Sequence, residues 1–346
     1  MSNRLQDLLA ERPYLIADGA MGTNLFAMGL MSGDAPELWN FDHPERVEAL
    51  HQGWVDAGSD IILTNSFGGT SYRLKLHKQQ DRVLEVNREA ARIARRVADR
   101  AGRPVIVAGS IGPSGELFEP LGALTVDEAT REFAKQAQAL AEGGAEVLWI
   151  ETMSAKEEVA AAVAGAATTG LPFVTTMSFD TNGRTMMGLS PAEFASLAHE
   201  LSPQPLGYGA NCGTGAAELV AALVNIGSAA RPDDVIVAKG NCGVPYFVES
   251  QIRYDGTPEL MADYARMARD AGARIIGGCC GTTAAHIVAM REALADHLPG
   301  SKPSLMEITA RLGKLTAGTE AGGLAADPSA GNRRAGRRRR DADAAF

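Results

Sequence analysis

Two adjacent cysteines, Cys279 and Cys280, have the most distinctive chemistry in the sequence. They follow a short apolar run and two glycines, in the segment 274–283, RIIGGCCGTT. Adjacent cysteines rarely bond to each other, because the ring that they would close is strained, and two neighbouring thiolates suit one soft metal ion better. A third cysteine, Cys212, has a similar setting in the segment 209–213, GANCG. The sequence therefore predicts a zinc site on Cys212, Cys279 and Cys280, with the fourth tetrahedral position open to a substrate.

The segments that must position these cysteines alternate between apolar runs and helical patterns. Short apolar runs occur at 15–18, 61–64, 105–108, 147–150, 173–177, 206–210, 235–238 and 274–276. Helical patterns follow them at 43–58, 81–102, 127–143, 156–170, 191–201, 216–228, 258–272 and 284–298. Continuously apolar strands separated by helices are typical of a parallel α/β sheet. Eight such units in about 300 residues favour a closed (β/α)₈ TIM barrel over an open doubly wound sheet. No dinucleotide-binding glycine motif follows the first strand.

Barrels of this kind carry their chemistry at the carboxyl ends of the strands. Polar or reactive residues occupy those positions in this sequence, and we expect them to share one rim: Asp18, Asn65, Glu151, Cys212, Cys242, Cys279 and Cys280.

Three of the rim residues, and His286 in the last predicted helix, have both a structural and a functional interpretation. Glu151 closes an apolar strand; it could pair with a surface lysine, but a carboxylate so near the barrel interior favours binding of a substrate ammonium. Asp18 could shape a turn, while Gly19 after it would let a backbone N–H approach a ligand. Cys242 is expected to be a small buried residue, with a metal or redox role left open. His286 is expected to form a hydrogen bond in the last helix rather than bind the metal.

Trp39 lies in the loop after the first strand, on the predicted active rim. A tryptophan face is the best cation–π partner for a quaternary ammonium, but packing in the core explains a single tryptophan equally well.

Composition limits the kind of protein. The chain has 346 residues, 45% of them hydrophobic and 22% charged, which is typical of a globular protein with a sizeable core. Its formal net charge of −9 argues against a general nucleic-acid binder, and 4 cysteines indicate a reducing, cytoplasmic compartment rather than a disulfide framework. No signal peptide or membrane span is expected. Oligomeric state is left open.

The domain prediction is one barrel over residues 1–312 and a low-complexity tail over residues 313–346. The tail is rich in Ala, Gly and Asp and contains four consecutive arginines at 337–340. Such a composition predicts disorder, and a solvated tail is a simpler interpretation of the arginines than a nucleic-acid or partner contact.

Five motifs together resemble the zinc- and homocysteine-dependent methyltransferase family: DGAMGT at 18–23, TNSF at 64–67, ET at 151–152, GANC at 209–212 and GGCCGT at 277–282. The resemblance covers residues from about 10 to 300. It implies zinc on the three cysteines, the homocysteine amino group near Glu151, and an amino acid site beside Asp18 and Gly19. Residues Thr64, Asn65 and Asn211 are carried over as substrate-binding positions.

Within that family, the length and the segment 65–69 resemble the short bacterial betaine–homocysteine methyltransferases most. The resemblance therefore implies methyl transfer from betaine to homocysteine, giving methionine and dimethylglycine. Animal members hold betaine with tyrosines after the second and fourth strands, where this sequence has Gly68 or Gly69 and Thr152, so only Trp39 is left of that aromatic site. The alternatives are a sulfonium donor, such as S-methylmethionine or a dimethylsulfonio acid, and a homocysteine-binding subunit served by a separate corrinoid protein.

Overall fold

A ring of eight parallel strands forms the centre of the computed structural model, which describes residues 3–248, 251–316 and 318–319. In chain order the barrel strands are β1 Leu15–Ile16, β2 Ile61–Leu63, β3 Ile106–Ile111, β4 Val147–Met153, β5 Phe173–Met177, β6 Gly207–Cys212, β7 Ile236–Gly240 and β10 Ala273–Gly278. Between β7 and β10, the strands β8 Pro245–Val248 and β9 Gln251–Tyr254 form a separate antiparallel hairpin. The order of the barrel strands in the sheet is β1-β10-β7-β6-β5-β4-β3-β2. A parallel bridge between Ala17 and Ile61 joins the two ends, which confirms the (β/α)₈ barrel.

Eight long helices surround the barrel. They are α4 Pro44–Ala57, α6 Val83–Asp99, α7 Val126–Gly143, α8 Lys156–Ala167, α9 Pro191–Glu200, α10 Ala216–Ile226, α11 Pro258–Asp270 and α12 Ala284–Ala295, and each lies within a few residues of its predicted bounds. Shorter helices are α1 Arg4–Glu11, α2 Gly22–Ala27, α3 Trp39–Asp42, α5 Ser71–Leu74 and α13 Leu305–Leu312. Local sequence sets several of the ends: Thr125 and Ser190 cap α7 and α9 in capping boxes, and Gly58 ends α4 in the left-handed region.

The apolar core has two layers. The larger one lies between the strands and the outer helices and includes Trp54, Phe133 and Phe194. The smaller one fills the barrel interior, where Leu5 and Leu8 of α1 pack with residues at the beginnings of strands. Helix α1 therefore covers the amino-terminal end of the barrel, and the opposite end is left for a ligand site.

The chain after α12 returns to the barrel wall. Ile308, Leu312 and Leu315 are buried in the larger core, and Glu218 at the start of α10 accepts hydrogen bonds from Thr316 N (2.5 Å) and from Thr319 Oγ1 (2.5 Å). The described part of the predicted tail is thus attached to the barrel beyond the predicted boundary at residue 312. The arginine run at 337–340 lies outside the described residues.

No helix in the described part of the chain is long and apolar enough to span a membrane.

Candidate active site

The three predicted ligand cysteines meet at the carboxyl ends of β6 and β10. The Cys212 sulfur lies 3.0 Å from that of Cys279 and 3.9 Å from that of Cys280, and all three sulfurs lie within 4.8 Å of one another. Sulfurs around a tetrahedral zinc ion lie about 3.7 Å apart, given a Zn–S distance of about 2.3 Å. The cluster can therefore hold a soft metal ion with little rearrangement.

The electrostatics of the cluster also favour a cation. Hydrogen bonds from Cys212 and Cys279 lower the pKa of Cys280 well below its usual range. The same contacts raise the pKa of Cys212, and the pKa of Cys279 reaches about 12 because donation to Cys280 and burial outweigh the hydrogen bond from Cys212. A cation bound at the cluster would release the protons of its thiols.

Asn241 ties together the loops that carry the cysteines. Its side-chain oxygen accepts from Cys280 N (3.0 Å), and its amide group donates to Gly213 O (2.6 Å). Cys279 N donates to Gly240 O (2.7 Å). The ends of β6, β7 and β10 are therefore held in one fixed arrangement.

Asn211, which precedes the first ligand, fixes an unusual backbone. Thr152 has a φ of 63°, which is rare for a β-branched residue. The Asn211 oxygen accepts from Thr152 N (2.8 Å) and Thr176 Oγ1 (2.7 Å), and its amide nitrogen donates to Thr152 Oγ1 (2.7 Å). That nitrogen also lies 3.9 Å from the Cys279 sulfur. Asn211 thus couples the end of β4 to the cysteine cluster.

A cavity of about 350 Å³ opens above the sulfurs. The cysteines and Glu151 lie in its wall, together with Gly19, Thr64 and Asn65. Phe26, Phe67 and Tyr254 supply aromatic surface, and Tyr254 also donates a hydrogen bond that helps to lower the pKa of Cys280. Tyr254 comes from the hairpin of β8 and β9, which sequence reasoning did not predict.

Glu151 is a nearly buried carboxyl in the cavity wall. Its Oε1 accepts from Ser110 Oγ (2.6 Å). Burial raises its pKa to about 7, although the charge of Lys239 and the Ser110 hydrogen bond act in the opposite direction. A cationic ligand group would favour its carboxylate form.

Thr64 and Asn65 line the cavity but also have structural partners. Thr64 Oγ1 contacts Ser66 Oγ (2.6 Å) and accepts from Ser110 N (3.0 Å). The Asn65 amide nitrogen donates to Pro36 O (2.7 Å). Gly19 is required by close packing, because a Cβ atom there would lie 2.7 Å from Trp54 and 2.9 Å from Thr282 O.

Asp18 does not lie in the described cavity wall. It is fully buried, and its Oδ1 lies 2.5 Å from Lys239 Nζ, while Oδ2 accepts from Leu63 N (2.7 Å). Lys239 itself lines the cavity. Sequence reasoning missed this lysine, although a lysine that ends the apolar run 235–238 is the signal that could have found it.

Trp39, for which a donor-binding role was predicted, does not lie in the described cavity wall. It is 6% exposed and packs with Leu25, Leu30 and Val47, with Arg46 over its ring at 5.1 Å. It begins α3 and is turned into the space between this helix and α4, so the packing interpretation applies.

Cys242 is separate from the three-cysteine cluster. It is buried, and its sulfur lies 3.2 Å from His286 Nε2 and 3.3 Å from Gly256 O. His286 Nδ1 accepts from Thr283 N (3.0 Å) at the start of α12. Both residues therefore have the structural roles that were the preferred interpretations.

An α/β barrel with a three-cysteine cluster at its carboxyl rim is a barrel whose active face could hold a soft metal ion. The family model for homocysteine S-methyltransferase matches residues 15–294. The chain belongs to the homocysteine S-methyltransferase family, which confirms the resemblance of the motifs.

Relatives differ in length from this chain. It is 32% identical over 308 residues to a methionine synthase of Mycobacterium tuberculosis, with 84% of this chain and 25% of the relative covered. A methionine synthase of Mycobacterium leprae is 30% identical, with 86% and 26% covered. The chain thus spans about a quarter of these relatives. The metallated form of the homocysteine methyltransferase MmuM from Escherichia coli has the same fold, with a TM-score of 0.69, 24% identity, and 84% and 99% of the two chains covered.

Proposed function

We propose that the protein is a zinc-dependent enzyme that transfers a methyl group from betaine, or from a similar small onium donor, to homocysteine. The observation that carries this proposal is the position of Cys212, Cys279 and Cys280 in the wall of the same cavity as Glu151. A thiol-binding metal site and an ammonium-binding carboxylate in one small cavity suit an amino acid with a thiol side chain.

The fit of zinc rests on the donor set. Three thiolates at the observed separations are soft ligands that zinc accepts. Bound there, zinc would keep the acceptor sulfur deprotonated at neutral pH, where a free thiol of pKa about 8.5 is mostly protonated.

The protein's own groups orient the reactants. Glu151 would bind the homocysteine ammonium, and the backbone near Gly19 would lie beside the amino acid. The cavity would exclude bulk water and align the acceptor with the donor, which is the main contribution that a displacement reaction needs from a protein. The onium centre of the donor leaves as a neutral amine or sulfide, so its departure needs no general acid.

Support for an onium donor comes from the aromatic wall. Phe26, Phe67 and Tyr254 line the cavity, and aromatic faces attract quaternary ammonium or sulfonium groups. Because Trp39 is packed elsewhere, we assign the cation to these three residues instead. S-methylmethionine and a dimethylsulfonio acid suit the same wall.

The length of the methionine synthase relatives favours a second candidate. This chain covers only a quarter of them, so it could serve as the homocysteine-binding module of a system in which a separate corrinoid protein delivers the methyl group.

A donor panel separates these candidates. The zinc-loaded protein is incubated with homocysteine and, in parallel, betaine, S-methylmethionine or dimethylsulfoniopropionate, and methionine is measured by mass spectrometry. We expect turnover with betaine. Turnover with a sulfonium donor but not with betaine would show that the donor is a sulfonium compound. Homocysteine binding without turnover on any donor would support the module, and absence of zinc-dependent homocysteine binding would overturn the proposal. A cytoplasmic location stays a prediction.

A further inference from the structure

Lys239 is the sole basic residue among those that form the described cavity wall. It lies on β7 between Asn211 of β6 and Gly277 of β10 in the strand register. Its side chain is only 2% exposed, yet the proposed catalytic groups do not include it. A buried ammonium is costly unless it is paired, so its partners indicate its role.

The partner of Lys239 is Asp18. The ammonium lies 2.5 Å from Asp18 Oδ1 and donates to Asp18 O (3.2 Å). The second carboxylate oxygen of Asp18 accepts from Leu63 N (2.7 Å). Both oxygens of Asp18 therefore have partners within the protein, and this fully buried side chain is not part of the described cavity wall.

Glu151 lies in the cavity wall and is influenced by the charge of Lys239. After burial, the charge of Lys239 has the largest influence on it, and Asp18 and Cys279 act in the opposite direction. Two carboxylates that share a poorly solvated site cannot both stay ionised without a cation. The positive charge of Lys239 offsets the negative charge of Asp18. The carboxylate of Glu151 then gives one net negative charge at this end of the cavity.

We propose that Lys239 is a positioning residue that sets the specificity for the acceptor's α-ammonium. It takes up Asp18, so that Glu151 is the carboxyl left at this end of the cavity to match one ammonium group. Glu37, the other carboxyl in the cavity wall, accepts from Gly68 N (2.6 Å). This inference rests on the proposed function, in which homocysteine is the acceptor. Lys239 acts through Glu151 and does not contact the reacting atoms.

The test compares homocysteine with γ-mercaptobutyrate, which has the same thiol, chain and carboxylate but lacks the amino group. Calorimetry on the zinc-loaded protein gives the affinity for each, and their ratio measures recognition of the ammonium alone. Zinc content and thermal unfolding are recorded for every variant. Lys135→Met removes a lysine on the surface of α7 and is the matched control.

Lys239→Met should lower the affinity ratio on the order of 10-fold, because the negative charge of Asp18 is then no longer neutralised and disfavours the carboxylate form of Glu151. Asp18→Asn should lower it as well, because the freed ammonium of Lys239 turns to Glu151. The double variant Asp18→Asn with Lys239→Met restores the net charge and should recover a ratio within about 3-fold of the original protein. Lys135→Met should leave the ratio unchanged.

Altered packing alone would not lower the affinity ratio in each single variant and restore it in the double variant. If Lys239→Met keeps the original ratio, the inference is wrong; equal weakening of both thiols would show instead that Lys239 binds the carboxylate that they share. If Lys239→Met does not fold, the ratio in Asp18→Asn and in the double variant decides. An original protein that binds both thiols equally would contradict the proposed function itself.

Discussion

Among the four cysteines, the surroundings of the sulfur decide the role. Cys279 faces two other sulfurs across the cavity floor, whereas Cys242 faces an imidazole and a carbonyl. We expect Cys279→Ala to lose stoichiometric zinc and homocysteine methylation while the barrel stays folded. Cys242→Ala should keep its zinc, because its sulfur lies outside the cluster. Metal analysis and circular dichroism check both variants, and full zinc in Cys279→Ala would refute the metal site.

Glu151 should make acceptor binding depend on pH. Burial raises its pKa to about 7, so the carboxylate is present above that pH and is lost as the pH falls through it. Only the carboxylate attracts an ammonium, and the preference for homocysteine over γ-mercaptobutyrate should fall about 10-fold per pH unit below about pH 7. Using a ratio cancels the effect of pH on the metal and thiol, which both ligands share.

Glu151→Gln is the comparison for this pH dependence. Its amide is neutral at all these pH values, so its preference for homocysteine should be small and constant. A preference that falls equally in Glu151→Gln would assign the titration to another group.

Individual residues were predictable where the sequence context is strong. Cys212, Cys279 and Cys280 each follow an apolar run and glycines, and the barrel rule then places them together. The context of Trp39 gave no direction for its side chain, which depends on the packing of α3 against α4. Lys239 was missed because one lysine after an apolar run is equally consistent with an exposed strand end; its burial depends on Asp18, which lies 221 positions away.

At the level of elements, α13 and the segment after it belong to the barrel. Ile308, Leu312 and Leu315 are buried there. Ending the chain at residue 304 should therefore lower the free energy of unfolding by about 3–6 kcal/mol, as measured by urea denaturation. Ending it at residue 320 keeps the contacts of Glu218 with Thr316 and Thr319 and should leave stability and turnover unchanged. Equal stability of the two truncated proteins would contradict this account.

The helices were predictable because caps and apolar periodicity are local signals. The ends of α7 and α9 follow from Thr125 and Ser190, with a glutamate three residues later in each case. The hairpin of β8 and β9 was not predictable in this way: its segment lies between a barrel strand and its helix, and the barrel pattern accounts for the chain without it. The contribution of Tyr254 to the cavity was missed with it.

For the whole molecule, the metal should stabilise the barrel without being needed for folding. The two core layers contain none of the three cluster cysteines. Removal of zinc by a chelator should therefore leave the far-ultraviolet circular dichroism unchanged and lower the unfolding temperature, as expected for a ligand that binds only the native state; saturation 1,000-fold above the dissociation constant adds about 4 kcal/mol. Loss of helical signal on chelation would show that the metal is structural.

The pairing of Asp18 with Lys239 has a consequence for the time course of folding. The two residues lie 221 positions apart, and β1 must pair with both β10 and the start of β2 before the aspartate is fixed. Contacts between distant parts of a chain form slowly, because a large loop must close first. The cysteine cluster likewise joins β6 to β10 across 67 positions. In a refolding experiment, metal capture should thus follow the appearance of helix, and its rate would report how quickly β6 and β10 come together.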